Sequence, residues 1–184
     1  FSNTLNLIYN LIAINRNDVA KKALILLSSY YRFMCNLERK LISLKKEIDF
    51  ICNYLEIMKL RFPEKLDIQL SFDETLGKLK IPPMLLQPLV ENSIKYGFVN
   101  RSQLFHLTLS ARTEDGAAVL SVEDSGKGFP EEFRGTFDQN HTFEVPDNPE
   151  SDNHVGLRNI YQRLLMYYGE DASLKIDWNG EWSR

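Results

Sequence analysis

Histidine is scarce in this chain, with three in 184 residues, and none of the three stands near another. His106, His141 and His154 therefore offer no clustered metal site and no obvious catalytic pair. Cysteine is nearly absent as well. Cys35 and Cys52 sit singly on stretches of helical pattern, which reads as free thiols in a reducing compartment. No apolar run approaches the ~18 to 20 residues that a membrane helix needs, and no signal peptide is apparent. Charge of one sign is lacking too. The 22 basic and 25 acidic residues leave a formal net charge of −3, which gives no reason to expect nucleic acid as a partner. There is no glycine before Gly77 and no proline before Pro63, so nothing punctuates the first third of the chain.

That unpunctuated stretch, residues 1–62, is helical in pattern. Leu5, Ile8 and Ile12, then Leu24, Leu27 and Tyr31, recur at helical spacing. Asn17 or Asp18 is placed to cap a second helix and Ser43 a third, along which Ile48, Ile51, Leu55, Met58 and Phe62 form an apolar stripe. Such helices pack against each other or against another copy, and a dimerising segment is expected. Pro63 marks a boundary, because the residue before proline disfavours helix. Beyond it, Leu66, Ile68, Leu70 and Phe72 alternate as in a half-buried strand, as do Phe105 to Ala111 and Ala118 to Val122. Glu114-Asp115-Gly116 supplies a hairpin turn between the last two. Pro82 and Pro83 are expected to start a helix ending near Gly97, a further helix runs from about Gly156 to Tyr168, and Ser173 to Trp178 reads as a strand. Residues 130–153 lack periodicity, as a lid would. The class expected is α+β: a helical segment, 1–62, followed over 63–184 by an α/β sandwich with one mixed sheet covered by helices.

Three segments carry chemistry: QPLVENSIKYG (Gln87 to Gly97), EDSGKGF (Glu123 to Phe129) and HVGLRNIYQRL (His154 to Leu164). Asn92 offers a side-chain oxygen to a hard Mg²⁺ ion. Lys95, three residues on, is read as sharing its helical face and converging on phosphates. Asp124 is an acceptor-only carboxylate suited to the exocyclic amine of adenine. Gly126 and Gly128 let the backbone pass close to a ring or turn sharply. Gly156 precedes an expected helix whose free N–H groups favour phosphate. Together these parts suit a nucleoside triphosphate without a Walker loop. Glu91 has three open roles: hydrogen bonding, orienting Asn92, or assisting catalysis. A plain surface carboxylate stands beside them. Lys127 reads as solvated.

In that order, the three segments resemble the N, G1 and G2 boxes of the gyrase, histidine-kinase and MutL ATPase superfamily, which shares the Bergerat fold. SNTLNLIYNLI (Ser2 to Ile12), LSSYYRFM (Leu27 to Met34), SLKKEIDFICNYLEIMKLRF (Ser43 to Phe62) and PPMLLQPLVENSIKYG narrow the likeness to LytS/YesM-type sensor histidine kinases. The resemblance implies ATP and Mg²⁺ as cofactors, with Glu91, Asn92 and Lys95 catalytic, and Asn92, Lys95, Tyr96, Asp124, Gly126, Gly128, Gly156, Leu157 and Asn159 lining the nucleotide. Arg158 would approach phosphate or stay at the surface. His154 departs from the commoner glycine at the head of the third box. The resemblance further implies an acceptor histidine two positions upstream of Phe1, in a His-Phe-x-x-Asn-Thr-Leu pattern of which Asn3-Thr4-Leu5 is the end. The chain is thus expected to be part of a longer protein, a cytoplasmic portion of a membrane-anchored sensor. Asn3 would lie one turn after that histidine, near the phosphotransfer. A response-regulator receiver domain would be the partner, and a homodimer the assembly. Two other readings share the boxes, an ATPase clamp and an anti-sigma-type serine kinase. The clamp needs a glutamate four residues before the Mg²⁺ asparagine, where this chain has Pro88. The serine kinase lacks a long preceding helical pair. A module with a dead nucleotide site is a fourth.

Overall fold

The stretch without glycine or proline forms three helices. The computed structural model describes residues 2–35, 41–98, 103–129, 135–137 and 152–177, with the side chains of 2, 3, 135–137 and 152–155 outside that description. Helix α1 spans Ser2–Ala13, α2 Asn17–Cys35 and α3 Leu44–Arg61. Asn15 takes φ 60° in the turn between the first two, a left-handed conformation that asparagine tolerates better than most residues. Ser43 caps α3, its hydroxyl accepting from the Lys46 N–H at 3.4 Å. The helix ends at Phe62, immediately before Pro63.

The apolar stripes divide between core and surface. Ile8, Leu11, Ala20, Ala23 and Leu27 are buried against Ile51, Leu55 and Met58 of α3. Leu5, Tyr9 and Ile12 on α1, and Leu24, Ile25 and Tyr31 on α2, remain exposed. The apolar surface of this helical hairpin is therefore wider than α3 alone covers.

Strand β1 (Ile42–Ser43) pairs antiparallel with β3 (Lys80–Ile81), tying the start of α3 to the approach of the first box. Among the described residues the mixed sheet has three strands, with the one at Phe105–Glu114 between those at Leu66–Phe72 and Ala117–Asp124. Central β4 (Phe105–Glu114) runs parallel to β2 (Leu66–Phe72) and antiparallel to β5 (Ala117–Asp124). Alternate residues of β4, Phe105, Leu107, Leu109 and Ala111, point into the core, as the period of two requires. The expected hairpin turn is tight. Asp115 and Gly116 both have positive φ, 49° and 82°, the signature of a type I′ turn whose twist suits the strands.

Helix α4 covers Gln87–Asn92 and α5 covers Asp152–Tyr168. The expected last strand is shorter, β7 (Leu174–Ile176), and pairs with β6 (Gly135–Phe137) instead of extending the main sheet. Residues 130–134 and 138–151, most of the expected lid, lie outside the described residues. One hydrophobic cluster runs from Ile8 and Leu27 through Ile57 and Leu85 to Leu107 and Ile160, so the core continues from the helices into the α/β part.

Two substitutions test this architecture. Gly116→Ala puts a Cβ on a left-handed residue and is expected to lower stability by about 1 kcal/mol, although open space surrounds the site. Leu109→Ala, at a 1% exposed position, is expected to cost about 2–5 kcal/mol. Urea unfolding reads both, and an unchanged midpoint for Gly116→Ala would discard the type I′ assignment.

Candidate functional site

The helix carrying Asn92 begins later than the paired prolines suggest. Pro82 and Pro83 lead instead into a turn where Met84 takes φ 60°, and α4 starts at Gln87. The reason lies on α3. Glu47, with no exposed surface, accepts the N–H groups of Met84 at 2.9 Å, Leu86 at 3.1 Å and Gln87 at 3.4 Å. Leu86 provides α4 with no side-chain cap, so a carboxylate from another helix satisfies its leading donors. Burial pushes the Glu47 carboxyl above the usual glutamate range, and the backbone N–H groups pull it back down. The same turn is held from α5, where Arg163 donates to the Met84 carbonyl at 3.2 Å and to the Pro83 carbonyl.

Asn92 is the last residue of α4, and the chain widens at once into a π-turn over Ser93–Gly97. Its mark is the Phe98 N–H donating to the Ser93 carbonyl, five residues back, at 3.2 Å. Such widenings recur at functional sites. This one also alters the expected relation of Asn92 to Lys95, because the three-residue spacing no longer spans a regular α-turn. Lys95 is exposed, its ammonium 4.5 Å from the centroid of the Tyr96 ring. The Asn92 Nδ2 is buried with no hydrogen-bond partner, and a Cβ on Gly156 would stand 3.5 Å from it. The first and third boxes thus meet at Asn92.

Glu91 faces the helical segment. Its Oε1 accepts from the Tyr30 hydroxyl of α2 at 3.0 Å and from Gln87 Nε2 at 2.9 Å. Tyr30 in turn stacks on Phe50 of α3, centroids 4.6 Å apart. Burial, then the Glu91 charge, raises the phenols of both Tyr30 and Tyr54 well above the usual tyrosine value. Of the roles open to Glu91, the geometry displays hydrogen bonding.

Asp124 ends β5, only 5% exposed. Its Oδ1 accepts the Gly126 N–H at 2.8 Å, and the surroundings admit no side chain. A Cβ on Gly126 would meet the Gly97 Cα at 2.5 Å and Asp124 Oδ1 at 2.7 Å; one on Gly97 would meet the same oxygen at 2.8 Å. The second box is therefore packed on the end of the first, backbone against backbone. Gly128 takes φ 74°, whereas Lys127 is exposed.

The third box departs from its expected geometry. Gly156 does not precede a helix but lies inside α5, which begins at Asp152, so the leading N–H groups belong to residues before Gly156. Leu157 is 1% exposed and packs with Tyr161 and Ile176, while Arg158 and Asn159 are exposed. The side chains of Asn3 and His154, and all of His141, lie outside the described residues. His106, on β4, pairs through Nδ1 with Asp67 Oδ2 at 2.9 Å, and its N–H donates to Ser125 Oγ. Glu47 and Tyr30, which tie the first box to the helical segment, and Arg163, which ties the third box to the turn before the first, carried no sequence signal for those roles.

The arrangement fits an adenine nucleotide with a divalent cation. The buried Asn92 Nδ2 lacks a partner, and the Asp124 carboxylate is buried where Gly97 and Gly126 bring two boxes together. Among the described residues no three His, Cys, Asp or Glu side chains gather into a metal site. Magnesium here would take Asn92 as its protein ligand and draw its other oxygens from phosphates and water.

The glycines of the second and third boxes make opposite predictions. Gly126→Ala is expected to destabilise the protein and disturb Asp124, since backbone occupies the space a Cβ needs. Gly156→Ala is expected to raise stability by up to about 1 kcal/mol, the helix-propensity gain, because 3.5 Å is an ordinary contact. Thermal melts of the two variants moving in the same direction would contradict this packing.

Comparison with known proteins bears on the family and the fold. Residues 1–66 match the family model described as histidine kinase. The sensor protein LytS of Oceanobacillus iheyensis is 33% identical over 175 residues, 95% of this chain and 29% of the relative. LytS of Bacillus subtilis is 32% identical over 174 residues, 93% of this chain and 28% of the relative. The chain thus spans under a third of the length of these relatives. The histidine kinase domain of the blue-light activated histidine kinase from Erythrobacter litoralis EL346 superposes with a TM-score of 0.52 at 18% identity, covering 94% of this chain and 79% of that one. The catalytic domain of the histidine kinase ThkA gives 0.52 at 18%, covering 80% and 92%; at such identity both speak for the fold. Fold and relatives agree, and the chain belongs to the histidine kinase family, in its LytS-type branch.

Proposed function

We propose that this chain is the kinase core of a two-component sensor, binding ATP with Mg²⁺ and passing the γ-phosphoryl group to a histidine just upstream of Phe1, from which it moves to an aspartate of a response-regulator receiver domain. The observation that carries this reading is the meeting of the boxes: the partnerless buried Nδ2 of Asn92 beside Gly156, and the buried Asp124 carboxylate packed between Gly97 and Gly126.

Each residue then has a task. Asp124 accepts from the exocyclic amine of adenine, and Gly126 and Gly128 keep the base near the backbone. The Asn92 amide turns toward the phosphates, where a bound Mg²⁺ supplies charge neutralisation. Lys95, Tyr96, Leu157 and Asn159 line the approach. Lys95 reaches phosphate by leaving the Tyr96 ring, a contact worth only about 0.5–1 kcal/mol at an exposed site. Glu91 serves as a support of Asn92. A neutral imidazole is a competent nucleophile, so the chemistry needs positioning and charge stabilisation more than a strong base. Residues 1–62 form the dimerisation and phosphotransfer segment, and 63–184 the nucleotide part. The exposed stripe of Leu5, Tyr9, Ile12, Leu24, Ile25 and Tyr31 supports a homodimer through α1 and α2, because an apolar face of this breadth is commonly covered by a partner. The parent protein is membrane-anchored with this part in the cytoplasm; among the described residues no helix is long and apolar enough to cross a membrane.

ATP with Mg²⁺ is expected to raise the melting temperature by mass action. Asp124→Asn is expected to weaken adenine nucleotides by roughly 1.5–3 kcal/mol, the worth of a hydrogen bond to a charged group. Calorimetry showing equal ATP and GTP affinities in wild type and variant would remove the adenine assignment. A chain extended upstream to include the His-Phe pair is expected to gain acid-labile label from γ-labelled ATP, only with Mg²⁺ and not as Asn92→Ala. Replacing Asn3 there should leave labelling intact and slow dephosphorylation of the regulator. Equal labelling of the 184-residue chain would show the acceptor misplaced.

A further inference from the structure

One peptide unit, that of Met84, is gripped from both sides. Its N–H donates to Glu47 Oε2 at 2.9 Å, and its carbonyl accepts from Arg163 Nη1 at 3.2 Å. The two gripping side chains come from different elements, Glu47 from α3 and Arg163 from α5, respectively 37 and 79 residues from Met84 in sequence. Glu47 extends its hold to the Leu86 and Gln87 N–H groups, and Arg163 to the Pro83 carbonyl. Between them Met84 keeps φ 60°, a region that a residue with a Cβ occupies only where its surroundings over-determine it.

Capping alone does not account for this arrangement. A carboxylate at the start of α4 stabilises that helix, but a guanidinium beside the same end opposes its dipole. Arg163 therefore serves the contact between α5 and the turn, not α4 itself. What the contact fixes is visible further along both helices. The Gly156 position, two turns before Arg163 on α5, stands 3.5 Å from the Asn92 amide as measured from an ideal Cβ. A shift of α5 against the Pro83–Met84 turn would open or close that gap.

We propose that Glu47 and Arg163 are positioning residues that set the distance between the Asn92 helix and the Gly156 helix through the Met84 peptide, and with it the fit of a polyphosphate and its cation. Because Glu47 belongs to α3, the same clamp makes the placement of the helical segment one determinant of affinity at the phosphate end. The adenine end is built by other residues, Asp124, Gly97 and Gly126. The inference rests on the nucleotide reading above, and its test separates the two.

The informative variant is Arg163→Met in the full 184-residue chain, which keeps the apolar stem and removes both donated bonds; Glu47→Gln, at a fully buried position, risks the fold and is secondary. In calorimetry with ATP·Mg²⁺ and with adenosine, Arg163→Met is expected to lose about tenfold in ATP·Mg²⁺ affinity, the low end for a lost supporting contact. It should bind adenosine as wild type does, and Arg163→Lys should recover part of the loss. Hydrogen exchange without ligand supplies a second reading, with faster exchange expected from Val90 to Ile94 in Arg163→Met. Unchanged ATP·Mg²⁺ affinity would overturn the proposal, as would an equal loss for adenosine, which would mark general loosening. If the wild-type chain binds neither ligand, the nucleotide reading fails, and the clamp is then judged by exchange alone: unchanged protection from Val90 to Ile94 overturns it.

Discussion

The carboxylate of Glu47 has no exposed surface and holds three backbone N–H groups of a segment nearly forty residues away. Isolating such a charge from water costs several kcal/mol unless hydrogen bonds replace the lost hydration. Here they do, and the dependence runs both ways. Glu47 is tolerable because the turn before α4 offers its donors, and the turn keeps that shape because Glu47 accepts them. Removing the carboxylate would leave buried N–H groups unsatisfied as well as a cavity. Since α4 lacks a side-chain cap of its own, the helix that ends at Asn92 takes its starting point from α3. The pairing of β1 with β3 fastens the two a second time, at the other side of Ser43. The helical segment is therefore part of what shapes the proposed nucleotide site, and the shared hydrophobic cluster from Ile8 to Ile160 expresses the same dependence in apolar terms.

Departures from regular structure gather around this site. Met84 is left-handed, the chain after Asn92 widens into a π-turn, Asn92 and Gln87 each bury an unpartnered polar atom, and Gly126 sits against Gly97 with no room for a Cβ. Each feature costs stability by itself, and packing of the surrounding core has to offset it. Local rules broken together in one place mark where a protein has been shaped for something besides folding. The β4–β5 hairpin offers the contrast. Its alternation, register and type I′ turn all agree, and no functional residue lies there until Asp124 at its far end.

What was legible in the sequence was local. Ser43 as a cap, Pro63 as a stop, Asp115-Gly116 as a turn and the alternation of Phe105 to Ala111 each declare themselves through a neighbour within a few positions, and each stands where expected. The order of the three boxes was legible for the same reason. What stayed hidden depends on partners far off in the chain. A glutamate on an amphipathic helix reads as solvated, so nothing marked Glu47 as the cap of a helix beginning at Gln87. Nor did anything near Arg163 or Tyr30 in the chain mark their partners, which lie about eighty and sixty residues away. Gly156 was misread for a different reason: residues 130–153 are rich in loop-forming types, which concealed that α5 begins four residues before the glycine. The exposure of Leu5 and Ile12 was likewise hidden, because a helical stripe records apolar spacing but not the width of its cover.

Helix α2 joins the two halves of this picture through adjacent residues. Tyr31 lies on the exposed apolar face, whereas Tyr30 is turned inward, stacked on Phe50 and donating to Glu91 next to Asn92. Successive residues on a helix point about 100° apart, so any rotation of α2 that reorients one moves the other. A hydrogen bond to a carboxylate is worth roughly 1.5–3 kcal/mol, and couplings between distant sites typically amount to about 1–3 kcal/mol. The Tyr30–Glu91 bond is thus of the right size to be made or lost by a repacking of the helical hairpin without unfolding the core beneath it. The Glu47 bonds are not, because breaking them strands three donors at once, two of them buried. In the kinase proposed here, the fixed contact and the adjustable one act on the two ends of the same helix: Glu47 holds α4 where it begins, and Tyr30 touches it where Asn92 meets the phosphates. A signal arriving along α2 would therefore act on the orientation of Asn92 more readily than on the seat of its helix.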